Sequence, residues 1–111
     1  MSVEIFTTDN FRREAKRLIK KYPSLKNDLF ELHEQLFLNP KIGSHLGWNC
    51  YKIRMAIKSK GKGKSGGARI ITHLLINSET ERVYLMAIYD KSEFDSISDT
   101  DLKRLIKEIT Q

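Results

Sequence analysis

YKIRMAIK at residues 51–58, SKGKGKSGGA at 59–68, RIITHLLIN at 69–77 and RVYLMAI at 82–88 make up the stretch whose reading decides the fold. The first segment alternates. Tyr51, Ile53, Met55 and Ile57 point one way, and Lys52, Arg54, Ala56 and Lys58 point the other, which is the period of a half-buried strand. Residues 68–77 and 82–89 are richer in β-formers and apolar on both faces, as inner strands are. Asn77-Ser78-Glu79-Thr80-Glu81 between them reads as a hairpin turn.

The same stretch concentrates positive charge. No acid occurs from Gln35 through Ser78, a span that carries Lys41, Lys52, Arg54, Lys58, Lys60, Lys62, Lys64 and Arg69. With a net charge of +6 and a pI near 9.5, the natural partner for such a surface is a polyanion, above all nucleic acid. Gly63-Lys64-Ser65 invites comparison with a nucleotide-binding P-loop. The first glycine of that motif would fall at Lys58, however, and the segment leads into a strand where a P-loop opens a helix. What remains is a flexible loop of alternating lysine and glycine. Lys58, Lys60, Lys62 and Lys64 are its candidate nucleic-acid-binding cations, adding salt-sensitive attraction for phosphates.

Outward from this stretch the chain reads as helices. Residues 3–6 favour a strand and lead into Thr7-Thr8-Asp9, all candidate N-caps. Phe11, Ala15, Leu18 and Ile19 then recur at helical spacing until Tyr22-Pro23 stops the helix. Ser24 opens a second helix with Leu25, Leu29, Leu32 and Leu36 inward, and Asn39-Pro40 ends it. Residues 41–49 read as a loop in which Trp48 seals a core edge. Ser98-Asp99-Thr100-Asp101 resembles a capping box and starts a third helix, with Leu102, Leu105, Ile106 and Ile109 as its inner stripe. The expected architecture is a single α+β domain over 1–111. It has an N-terminal strand and an antiparallel helix hairpin packed on a small, mainly antiparallel sheet, with a C-terminal helix.

Lone Cys50 can form no internal disulfide and reads as a small buried side chain, which suits a reducing cytoplasm. Three scattered histidines do not make a metal site, and His73 reads as packed within its strand. An N-terminus with Glu4 and no long apolar run predicts no signal peptide, and no segment approaches the roughly 20 apolar residues of a membrane span. At the start of an inner strand Arg69 is an unusual cation. If it shares a face with Lys52 and Arg54, three cations converge, and Tyr89, Lys91 and Glu93 follow the last strand with a phenol, an ammonium and a carboxylate.

Tyr51-Lys52-Ile53-Arg54, Gly67-Ala68-Arg69 and IYDKSE at 88–93 resemble the RelE/HigB/ParE superfamily of type II toxin–antitoxin toxins, and KSGGARIITHLLIN is similar to its members with a long glycine-lysine loop. The resemblance covers essentially the whole chain. It implies a microbial-RNase-like fold and, for the RelE and HigB branches, ribosome-dependent cleavage of mRNA in the cytoplasm by 2′-hydroxyl attack, without metal or cofactor. It also implies a cognate antitoxin as partner. By position it matches Lys52, Arg54, Arg69 and Lys91 to the family's catalytic cations. RelE proper has arginine where Lys91 stands, and residues 94–97 hold no counterpart of its later tyrosine. Tyr89, Lys52 and Glu93 are the candidates for proton transfer. Two other readings stay open: a ParE-like inhibitor of DNA gyrase, and a non-catalytic nucleic-acid-binding or decayed toxin domain.

Overall fold

The computed structural model describes residues 2–94 and 96–110. In chain order they form β1 (Ser2–Thr7), α1 (Asp9–Lys21), α2 (Leu25–Leu38), β2 (Ser44–Gly47), β3 (Cys50–Met55), a 3-10 turn (Lys58–Lys60), β4 (Ala68–Ile76), β5 (Thr80–Asp90) and α3 (Asp99–Thr110). The Thr8 side chain accepts a hydrogen bond from the Phe11 amide and starts α1. The Ser98 hydroxyl accepts from the Asp101 amide and starts α3 in the same way. The strands lie in the order β1-β5-β4-β3-β2, with β1 parallel to β5 and every other pair antiparallel. This is the α+β architecture, with a mainly antiparallel sheet, that the residue pattern implies.

Each sheet face has its own core. On one face Ile53, Met55, Ile70, Leu74, Val83 and Ile88 meet Phe11, Leu18, Leu25, Leu32 and Leu36 of the helix hairpin. On the other, Cys50, Ile71, Met86, Ala87 and Tyr89 meet Leu102 and Leu105 of α3. A bulge in β5 decides which of its side chains reach each face. Ile71 pairs with Ala87 and Thr72 with Leu85, leaving Met86 as an extra residue. The strand's alternation therefore flips: Leu85 faces the hairpin while Ala87 and Tyr89, also odd-numbered, face α3.

Four details differ from the sequence reading. Residues 44–47 form an edge strand paired with β3, turned through Trp48 and Asn49 at left-handed φ of 50° and 56°. Trp48 does not seal the core; it is 48% exposed, with the Lys103 ammonium 5.0 Å from its ring centroid. The β3 strand ends at Met55, so Lys58 belongs to the 3-10 turn and not to the strand face. Finally, Ile19 and Leu29 are only partly covered, and both line a shallow apolar depression between α1 and α2.

Candidate nucleic-acid site

The strand register aligns the site. Arg54 of β3 lies opposite Arg69 of β4, and Arg69 lies opposite Tyr89 of β5. The next row on the same face is Lys52, Ile71 and Ala87. Directly opposed residues have Cβ atoms about 4.5–5.5 Å apart and diagonal ones about 7–8 Å. Arg54, Arg69, Tyr89 and Lys52 thus share one neighbourhood on the face that α3 partly covers. Lys91 follows immediately, its amide donating to the Gly67 carbonyl at 3.0 Å.

Arg69 is only 5% exposed. Its guanidinium donates to three backbone carbonyls, those of Lys64 at 2.9 Å, Ala68 at 3.1 Å and Ser65 at 3.2 Å. Among the described residues no carboxylate pairs with it. A buried cation surrounded by neutral acceptors keeps most of its attraction for an anion. Beside it, the Tyr89 hydroxyl is buried and has no hydrogen-bond partner among the described residues. Burial raises the phenol pKa, and the Arg69 charge pulls it back only in part. Its hydroxyl is a proton donor that meets no acceptor among the described residues.

Glu93 lies elsewhere in its chemistry. Both carboxylate oxygens accept from the Arg17 guanidinium of α1, at 3.0 and 3.2 Å. The lysines of the loop also divide. Lys58 pairs with Glu31 at 2.8 Å on the outside of α2. Lys60 is drawn inward, with its ammonium 2.8 Å from the fully buried Asp90 carboxylate and 5.4 Å from the centroid of the Tyr22 ring. Of the loop lysines, Lys62 and Lys64 stand exposed and without an ion pair among the described residues. Segment 94–97, where the family's later tyrosine has no counterpart, is described except at position 95.

The sequence reading missed the group that organises this end of the sheet. Asp90 accepts from Lys60 Nζ, from the Tyr22 hydroxyl, and from the Ser92 amide and hydroxyl at 3.0 and 2.8 Å. Burial alone would raise its pKa, but these bonds outweigh it and hold the carboxyl well below the usual carboxylate range. The same contact pushes the Tyr22 phenol up to about 12. The one available signal was an aspartate ending an apolar strand; its partners lie 30 and 68 residues away. Cys50 and His73 are both buried and meet at 3.3 Å between Sγ and Nδ1; burial pushes the thiol up to about 11 and lowers the imidazole. Neither belongs to the cationic row.

Among the described residues, no cluster of three or more His, Cys, Asp or Glu could hold a metal ion, and no helix is long and apolar enough to cross a membrane. A basic α+β protein with a cationic row across its sheet face defines the class. The family model described as the RelE toxin of the RelE / RelB toxin-antitoxin system matches residues 3–111, and the chain belongs to that family. It is a toxin-family member for which an antitoxin partner is implied.

Proposed function

We propose that this toxin is an endoribonuclease that cleaves mRNA at the ribosome, with the Arg54–Arg69–Tyr89 row as its scissile-phosphate site. The observation that carries this reading is Arg69 itself, which lies in register between Arg54 and Tyr89 and has no carboxylate to neutralise it among the described residues. In the reaction an RNA 2′-oxygen attacks the adjacent phosphorus as its proton leaves. The P–O5′ bond then breaks and the 5′-oxygen takes up a proton, giving a 2′,3′-cyclic phosphate and a 5′-hydroxyl. Arg69 clamps the non-bridging oxygens where negative charge builds, and Arg54, Lys52 and Lys91 add positive field. Tyr89, a phenol beside Arg69 with no acceptor of its own among the described residues, suits the donor that protonates the leaving oxygen, and Lys52 is the candidate partner for the attacking hydroxyl. Glu93 is engaged by Arg17, which argues against it as the base.

Induction of the toxin in growing cells, with and without its antitoxin, tests this reading. Codon-phased mRNA breaks that disappear when the antitoxin is supplied support it. DNA damage without mRNA breaks would favour a gyrase inhibitor, and unimpaired growth a non-catalytic protein.

A further inference from the structure

We infer that residues 61–66 form a latch over the phosphate site, held shut by Arg69 and released when an anion takes over its guanidinium. The inference rests on reading Arg69 as the phosphate-binding group. Both roots of the segment are fixed. On one side Lys60 is tied to buried Asp90. On the other, Gly67 packs so tightly that a Cβ would lie 2.1 Å from the Met55 carbonyl oxygen, and its own carbonyl accepts from the Lys91 amide. Between the roots, residues 61–65 are exposed, and Gly61 and Gly63 sit at left-handed φ of 70° and 63°.

Besides a backbone bond from the Gly67 amide to the Lys64 carbonyl at 3.3 Å, the tie on this segment is Arg69. Its guanidinium donates to the Lys64 and Ser65 carbonyls, and the covering loop leaves Arg69 only 5% exposed. A phosphate reaching Arg69 has to replace those acceptors. The guanidinium's bonds to these carbonyls are charge–dipole contacts, whereas a phosphate offers full opposite charge and a bidentate geometry that the planar fork matches, so the exchange favours the anion. Releasing two carbonyls returns them to water, which costs little at an exposed loop. Lys62 and Lys64 ride on the segment, so opening frees two ammonium groups to follow the phosphate chain. The closed form in turn keeps the cationic centre covered when no polyanion is present.

The test is backbone amide relaxation by NMR on the toxin, with inorganic phosphate as the probe and no RNA. In the free protein the amides of Gly63, Ser65 and Gly66 should be ordered, with order parameters near about 0.8, and Gly67 and Lys91 likewise. Arg69→Gln, or saturating phosphate on the unmodified protein, should drop the three loop values below about 0.6 and leave Gly67 and Lys91 unchanged. As a second variant, Gly63→Ala disfavours the left-handed closed conformation and should bind phosphate about fivefold more tightly. A loop already mobile in the free protein, a loop unaltered by phosphate, or unchanged or weaker phosphate binding by Gly63→Ala overturns the latch. None of these measurements needs cleavage. The latch can stand if the nuclease reading falls, and it can fail while mRNA cleavage is found.

Discussion

The Lys60 ammonium lies 2.8 Å from the carboxylate of Asp90, and the two side chains are 11% and 0% exposed. This buried pair joins the 3-10 turn after β3 to the last residue of β5, with Tyr22 from the end of α1 closing over it. The glycine-lysine loop therefore departs from a clamped base, and Arg69 one strand residue beyond Ala68 inherits a fixed origin.

Asp90→Asn should be the most damaging single change outside the apolar core. It leaves the Lys60 ammonium buried without its counter-charge, a loss typically of about 3–5 kcal/mol. Urea unfolding of the two proteins measures it. The pH dependence follows from the same group. The folded-state pKa of Asp90 is depressed below its unfolded value near ~3.9, so its stabilisation is complete above about pH 5 and drains away as pH falls towards the folded pKa. Stability of the wild type should decline steeply below about pH 4, and the Asp90→Asn curve should be flatter there.

Tyr89→Phe separates stability from catalysis. The hydroxyl is buried and unpartnered among the described residues, so removing it should leave stability unchanged or raise it by up to about 1 kcal/mol. If the phenol delivers a proton, cleavage should fall about 100-fold or more in the same variant. Loss of both together would show a packing role instead.

The loop lysines should divide in a salt titration of single-stranded RNA binding. Lys62→Ala and Lys64→Ala should each reduce the log–log salt slope by about 0.7. Lys58→Ala should alter it less, because its ammonium already faces Glu31.

Gly67→Ala tests the tight root of the loop. A methyl group there meets the Met55 carbonyl oxygen at 2.1 Å and the Ala56 Cα at 2.9 Å, both backbone atoms. A destabilisation of about 1–3 kcal/mol is expected in thermal melts. Any survivor should show a shifted Arg69 environment.

Local pattern carried much of this fold. Alternation in 51–57 put Lys52 and Arg54 on one face, and Thr8, Ser98 and Pro23 marked helix ends through their own backbone chemistry. What stayed hidden depends on partners far along the chain. The glycine-lysine segment read as flexible because nothing within it discloses the Asp90 carboxylate or the Arg69 bonds that tie it down. Residues 44–47 read as loop because a four-residue edge strand preceded by Gly43 and ending in Gly47 has too little alternation to register. The candidate site was partly legible for the same reason. The cations could be named from their strands, but the row Arg54–Arg69–Tyr89 is set by cross-strand register, and the engagement of Glu93 by Arg17 spans 76 residues.

The central claim is that Arg69 holds the scissile phosphate, and cleavage of mRNA by purified toxin on programmed ribosomes tests it most directly. Mapping of 5′ ends should find cuts phased with the A-site codon, with 5′-hydroxyl products, and Arg69→Ala should lower the single-turnover rate about 100-fold or more while the protein stays folded. Undiminished cleavage by folded Arg69→Ala, or no cleavage by the wild type, would contradict the account.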